Sequence, residues 1–324
     1  MTDYYIGIDS GGTKTEIILT DGRGQILSKA LTCGCNPLDV GTETTRETLL
    51  SGLKALQIPE EGRVSALYAG IAGANHVDLN MEETLETMYP GIKAQIDDDR
   101  RMVLSGTLGH VDGCGMICGT GSSLSIIVEG CPIRQVGGLG YLVDTGGSGY
   151  ELGQAGLKYA FRYLDGRGEY TVLAKAIEDI LGVGLWEGLG KIYEGGRAFI
   201  ASLAHTVFEG ADSGDEVCQK ILDESSYRLS ELTFAAERHF DGTFPVVMSG
   251  GIFRQYPDYA RMVCARASAR AHMIQAQVPP VYGALVEAMW QRGVKADDDV
   301  RRRFMENYEN CVSTECRAVR RYAG

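Results

Sequence analysis

At 324 residues, 44% apolar and 23% charged, the chain has an ordinary globular composition and is long enough for two cores. Its net charge of −12 argues against a nucleic-acid partner, which calls for a basic footprint, but not against a nucleotide, whose phosphates backbone N–H groups and Mg²⁺ can neutralise locally. No stretch approaches the roughly 20 apolar residues of a membrane span, and MTDYYIGID enters a strand with no basic or signal-type segment, so the chain reads as cytoplasmic.

Tyr4–Asp9, Glu16–Asp21 and Gln25–Thr32 read as three strands joined by tight turns. The first turn, within IGIDSGGTKTE, is built to lie against an anion. Gly11 and Gly12 carry no Cβ and allow positive φ, so backbone N–H groups can approach phosphate closely. Thr13 and Thr15 add hydroxyls and Lys14 a cation, while Asp9 stands where it could hold a Mg²⁺-bound water. An ordinary Gly-Gly hairpin turn is the plainer alternative. Thr42 to Ile58 reads as a helix with Leu49, Leu50, Leu53 and Leu56 on one face, Val64–Ala72 as a buried strand, Leu79–Met88 as a helix and Ile92–Asp97 as a strand ending in acid.

The design recurs at MICGTGSSLSIIV, Met116 to Val128, where Gly119, Thr120, Gly121 and Ser122 separate two apolar strands. A helical region follows from about Ser148 to Phe240, with Glu216 to Phe240 as one long helix. The strand Val246–Met248 then runs into Ser249-Gly250-Gly251, and Gly283-Ala284 opens an apolar helix in PPVYGALVEAM. The charged tail from Asp297, with Arg301, Arg302, Arg303, Arg317, Arg320 and Arg321, reads as a solvated surface helix.

The nine cysteines are odd in number and irregular in spacing, which argues against a disulfide framework. Cys114 and Cys118 would lie on one face of a strand about 13 Å apart, too far to share a metal ion, and read as buried thiols. The five histidines show no metal spacing, and Trp186 and Trp290 sit in helical surroundings as packing residues. No Walker lysine motif, nucleophile elbow or helix-opening G-x-G-x-x-G is present.

Two phosphate-type hairpins, a glycine turn after a buried strand and a small-residue helix start, in that order, resemble the actin-like ATPase domain of sugar kinases, Hsp70 and actin. More closely, they resemble the BadF/BadG/BcrA/BcrD ATPase family and its N-acetylglucosamine-kinase branch. Cys35-Asn36-Pro37 looks like the family's sugar-contacting asparagine loop, Gly70-Ile71-Ala72-Gly73-Ala74 like its GLAGA strand end, and Gly137-Gly138-Leu139-Gly140 with Gly147-Ser148-Gly149-Tyr150 like its GGWG…GDEGSGY stretch. Val207 to Leu222 looks like the helix pair between the sugar loop and the adenosine site.

The resemblance implies an α/β, duplicated actin-like (ribonuclease H-like) fold with two domains around a nucleotide cleft. Residues 1–112 would form the first domain, 113–296 the second with its helical insertion, and 297–324 a tail packing on the first. ATP and Mg²⁺ are the implied cofactors. The hairpins would cradle the phosphates, Gly250, Gly251 and Gly283 would line the adenosine pocket, and Asn36, Asp99, Gly138 and Thr145 would face a small sugar acceptor. In the kinases it resembles, the base is an aspartate that opens a helix about 20 residues before the GTGS threonine; Asp99, 21 positions before Thr120, fits, with Asp98 as the alternative register. Helix capping is the structural role open to either carboxylate.

The chain departs from the family where Thr145-Gly146 replaces Asp-Glu, leaving Asp144 one position early, and where Leu139 replaces the usual aromatic. The implied function is an ATP-dependent kinase for an amino sugar such as N-acetylglucosamine or glucosamine. An ATPase that activates a partner protein, iron–sulfur-bearing in some relatives, and a non-catalytic nucleotide sensor are the alternatives. Relatives of this kind are often homodimers.

Overall fold

The computed structural model describes residues 2–319 except Thr13 and Thr145, and their side chains except those of Pro132 and 309–319. The expectations placed on Thr13, Thr145, Arg320, Arg321 and the side chains of Cys311, Cys316 and Arg317 therefore lie outside what is described. The chain divides into two compact units, one of Met1–Val111 with Ala276–Gly324, the other of Asp112–Gln275.

The first unit opens with β1 (Thr2–Ser10), β2 (Lys14–Asp21) and β3 (Ile26–Cys33), then α1 (Pro37–Val40), α2 (Thr42–Ala55), β4 (Gly62–Ile71), α3 (Glu82–Met88), β5 (Lys93–Asp97) and α4 (Arg100–Leu108). Its sheet runs β3-β2-β1-β4-β5. The two hairpins make β1–β2 and β2–β3 antiparallel, while β4 lies parallel to both β1 and β5. Alternation in β1 sends Tyr4, Ile6 and Ile8 to one core with Leu49 and Leu53 of α2, and Tyr5 to the other.

The second unit contains β6 (Gly113–Cys118), β7 (Ser122–Val128), β8 (Cys131–Val136), five helices α5 (Gly149–Leu164), α6 (Leu173–Leu181), α7 (Leu189–Ser202), α8 (Ala204–Asp212) and α9 (Glu216–Glu237), then β9 (Phe244–Ser249), α10 (Gly251–Gln255), α11 (Pro257–Arg266) and β10 (Ala271–Gln275). Its sheet order, β10-β9-β6-β7-β8, is the first sheet's order repeated, with β6–β7 and β7–β8 antiparallel and β9 parallel to β6 and β10. The fold is thus a duplicated α/β arrangement of two five-stranded sheets. Cys114, Met116 and Cys118 of β6 share one core with Leu152 of α5, Val207 of α8 and Leu229 of α9. The long helix of the insertion starts where Asp215 caps it, accepting from the Cys218 N–H at 2.9 Å, and ends at Glu237, three residues before the expected Phe240.

The chain then returns to the first unit as α12 (Pro280–Trp290) and α13 (Asp298–Val319). The expected boundary at 296 is corrected here, because α12 packs between β1 and α4. Gly7 and Gly283 make that passage possible. A Cβ on Gly7 would come 2.7 Å from Leu285 Cγ, and one on Gly283 would collide with the Met102 carbonyl. Phe304 of α13 is fully buried in the same core as Tyr5, Ile18 and Tyr282. Among the described residues no helix is long and apolar enough to cross a membrane.

Candidate functional site

In the first unit the site residues collect where β1, β4 and β5 end together. Register pairs Asp9 with Gly70, and Gly70 with Asp97, so the carboxylates and glycines of three strands share one edge. The β1–β2 turn is closed by the Gly11 N–H donating to the Lys14 carbonyl at 3.0 Å, and no heavy atom would lie within 4 Å of a Cβ on Gly11. Asp39 stands beside the turn, its Oδ2 3.7 Å from where a Gly12 Cβ would be. Lys14 is 61% exposed and pairs with Glu16 at 3.4 Å.

Thr15 does not serve this turn. It is fully buried, its hydroxyl donates to the Cys33 carbonyl at 2.9 Å, and it lies 2.8 Å from Ser10 Oγ and 3.2 Å from Cys35 Sγ. The expected phosphate contact from the Thr15 side chain is therefore corrected: strand alternation turns its hydroxyl inward, where it ties β2 to the loop after β3. Asn36 follows Cys35 and caps α1, its Oδ1 accepting from the Leu38 N–H at 2.9 Å. That oxygen also lies 2.7 Å from where a Cβ on Gly73 would be, which keeps Asn36 against the end of β4.

The three aspartates after β5 divide their work. Asp98 accepts from the Arg100 N–H at 3.1 Å and also forms a buried ion pair with the Arg100 side chain. Asp99 occupies the N-cap position of α4 yet makes no side-chain cap bond. The Asp99 carboxyl is pushed well above the usual carboxylate range, first by burial, then by the charge of Asp98, with Asp9 adding to it. Asp9 itself is raised to about 7, by burial first and by Glu16 across the hairpin second, with Lys14 opposing. The chain thus concentrates buried carboxylates of raised proton affinity beside a glycine turn, an arrangement suited to a cation or to proton transfer.

The second unit repeats the geometry at the ends of β6 and β9. The Gly119 N–H donates to the Gly121 carbonyl at 2.8 Å to close the β6–β7 turn. Its carbonyls at Gly119 and Thr120 accept from the Gly149 and Tyr150 N–H groups, at 2.8 and 3.1 Å, which docks the turn on the start of α5. Ser122 donates to the Gly146 carbonyl at 2.5 Å. Gly250, at φ 115°, passes so close to the Cys118 carbonyl that a Cβ there would collide with it, while Gly251 opens α10 with free space around it. Gly283 belongs to the first unit, where it is buried against the backbone of α4. The small-residue helix start expected there is present in α12, and its bare Cα serves close helix packing.

The loop that departs from the family pattern also lies in this unit. Gly138, at φ 70°, sits in a turn clamped by the Gln135 amide, which donates to the carbonyls of Gly137 and Gly138 at 2.8 and 3.0 Å. The Asp144 carboxylate folds back toward that turn, its Oδ2 3.1 Å from where a Gly137 Cβ would be. Leu139, Leu142 and Val143 are 67%, 84% and 75% exposed.

Several neighbours are absent from the sequence expectations. Glu151 is buried; it accepts from the Gly147 N–H and pairs with Arg228 at 2.5 Å, and burial raises its carboxyl above the usual range. The spacing Ser148-x-x-Glu151 is a capping-box signature that could have revealed it. Cys35 and Arg100 carry no such signal. Cys114 and Cys118 are buried, burial pushing the Cys114 thiol up to about 12 and Cys118 higher still. Among the described residues no group of three or more His, Cys, Asp or Glu could hold a metal ion unaided.

Comparison with known proteins adds the context. A Dictyostelium discoideum N-acetyl-D-glucosamine kinase is 29% identical over 273 residues, 77% of this chain and 85% of that protein. An N-acetylmuramic acid/N-acetylglucosamine kinase of Clostridium acetobutylicum is 32% identical over 240 residues, 70% of this chain and 76% of its own. Among solved structures, a Chromobacterium violaceum protein provisionally assigned as an N-acetylglucosamine kinase superposes with a TM-score of 0.68 at 26% identity, over 87% of this chain and 98% of that one. The sequence pattern of the BadF/BadG/BcrA/BcrD ATPase family matches residues 6–288, and the chain belongs to that family.

Proposed function

We propose that the protein is an ATP-dependent kinase that phosphorylates a hydroxyl of a small amino sugar, N-acetylglucosamine or a close relative. The observation that carries this reading is the division of labour at the end of β5. Asp98 is committed to Arg100, while Asp99 caps nothing, and burial with the charge of Asp98 raises its proton affinity above the usual carboxylate range. Asp99 is the base that takes the acceptor's hydroxyl proton as the oxygen attacks the γ-phosphoryl group. Asn36, held at the edge of β4, and Gly138 and Asp144 of the second unit are the acceptor-facing residues in this reading.

The turns at Gly11–Lys14 and Gly119–Ser122 supply backbone N–H groups to the phosphates, the Ser122 hydroxyl being committed to the Gly146 carbonyl, and Gly251 leaves room for the nucleoside beside Gly250. Asp9 suits a Mg²⁺ ion through a bound water. Magnesium uses one or two carboxylates together with substrate phosphates rather than a complete protein cage, and Asp9 is a hard oxygen donor whose raised proton affinity marks unrelieved negative charge. When bound, the ion would neutralise charge on the transferring phosphate. A kinase drawing on ATP works where ATP is kept, so the reading carries a cytoplasmic location with it.

The names of the two curated relatives favour an amino-sugar acceptor, and the altered 139–146 loop bears on which one. The test is ADP release from Mg-ATP across a panel of amino sugars and hexoses. Stimulation by an N-acetylated or free amino sugar supports the proposal. ADP release indifferent to every sugar would transfer the activity to a plain ATPase.

A further inference from the structure

Arg197 is half-buried in the second unit and differs from the arginines paired beside the site. Arg100 pairs with Asp98, Arg101 with Glu287 and Arg228 with Glu151. Arg197 has no carboxylate partner among the described residues, and its Nε is shielded from solvent without a hydrogen-bond acceptor. A donor withdrawn from water and left without an acceptor carries a cost. Its surroundings indicate what offsets that cost.

The backbone is bent to bring Arg197 where it is. The helical course of α7 breaks at Gly196, which takes φ 55° and ψ −149°, a conformation open in practice only to glycine. At Gly195 a Cβ would lie 2.5 Å from that of Phe199, so the residue before the break must be small as well. Immediately after the break, the Arg197 side chain reaches the β6–β7 turn. Its Nη2 lies 3.2 Å from where a Cβ on Gly121 would be. Its Cζ is 5.8 Å from the centre of the Tyr141 ring, which in turn lies 5.2 Å from the ring of Tyr150 on α5. The aromatic face steadies the cation without neutralising it, and a side chain at Gly121 would press on its Nη2.

We propose that Arg197 is a phosphate-contacting residue, its guanidinium binding the polyphosphate of the nucleotide held at the Gly119–Ser122 turn. The inference rests on the reading of that turn as a phosphate site. A planar fork of N–H donors matches phosphate oxygens in a way that backbone amides alone do not, and it adds a full positive charge to a turn that otherwise offers only dipoles. The contribution therefore scales with the phosphates present. ATP and ADP depend on Arg197, and adenosine does not.

Calorimetric titration of the whole chain with Mg-ATP, Mg-ADP and adenosine tests this. In Arg197→Met, affinity for ATP and ADP falls ten- to a hundredfold while adenosine binds as before. Arg197→Lys, which keeps the charge but loses the fork, recovers part of the loss. A merely structural role would weaken all three ligands alike, and that result would overturn the inference. ATP binding that is unchanged in Arg197→Met would also overturn it and leave the phosphate reading of the turn standing. Failure of the wild-type chain to bind ATP would overturn both. Should Arg197→Met not fold, Arg197→Lys decides: a severalfold loss confined to ATP and ADP supports the inference, and unchanged ATP affinity contradicts it.

Discussion

Arg101 of α4 and Glu287 of α12 form a buried ion pair, Nε to Oε2 at 3.0 Å, that ties the chain's return segment to the helix opened by Asp99. Ser105 donates to the same carboxylate, and His110, stacked on Trp290 at 4.3 Å, lies 3.2 Å from it. A carboxylate with three polar neighbours is well compensated, but removing it strands a guanidinium in the core. Glu287→Gln is expected to cost about 3–5 kcal/mol, read as a lowered urea midpoint with the slope unchanged.

Gly283 and Gly251 look alike in sequence and differ in what surrounds them. Gly283→Ala must push α12 away from the Met102 carbonyl, whereas Gly251 opens α10 with free space around it. The first substitution is expected to destabilise by roughly 1–3 kcal/mol through overpacking. The second should leave the melting temperature within about a degree or raise it. If Gly251 lines the nucleoside pocket, its alanine variant changes ATP affinity without changing stability.

Acidic groups at the end of β1 and β5 set a pH dependence. Asp9, raised to about 7 by burial and by Glu16, holds its proton more tightly folded than unfolded, where the ordinary value is 3.8. Its contribution to stability is complete below the unfolded value and is lost as pH rises toward the folded one. Asp99 shifts in the same direction through burial and Asp98. Without nucleotide, the stability that Asp9 contributes should fall as pH rises from 3.8 toward about 7, with a slope of at most about 1.4 kcal/mol per pH unit. Asp9→Asn should flatten that slope in a series of urea melts, and an unaltered slope would contradict the assignment.

Thr15 is expected to act in stability rather than catalysis. Its buried hydroxyl is bonded to the Cys33 carbonyl. Thr15→Val removes the bond to the Cys33 carbonyl and leaves Ser10 and Cys35 only each other, at 3.0 Å, and should cost about 1–3 kcal/mol. The KM for ATP should stay within about twofold, since the hydroxyl faces the core; a large rise in KM would return Thr15 to the phosphate site.

Much of the fold is legible in the sequence because its strong elements carry strong periodicity. β1, β2, β4 and the long α9 each bury a repeating apolar face. The edge strands β8 and β10 escape sequence reading because they are short, six and five residues, and rich in polar side chains. An edge is also the place in a sheet where Pro132 is tolerated, so its presence hides the strand. The chain's return to the first unit at Ala276 is invisible locally, because nothing in PPVYGALVEAM records which sheet it will cover. Of the candidate site, the glycine turns and the aspartate triplet are legible through their residue types. What distinguishes Asp98 from Asp99 is not, since it depends on which carboxylate Arg100 reaches. Arg197 is hidden for a similar reason: Gly195-Gly196 announces a broken helix, but only the fold carries the break to Gly121.

The central claim is that Asp99 is the base of a sugar kinase, and the most direct measurement is sugar-stimulated ADP release by Asp99→Asn beside calorimetric ATP binding. The account predicts turnover reduced by about 10²-fold or more with ATP affinity preserved, and with Asp98→Asn instead losing stability through its broken pair with Arg100. Undiminished turnover in Asp99→Asn would contradict it.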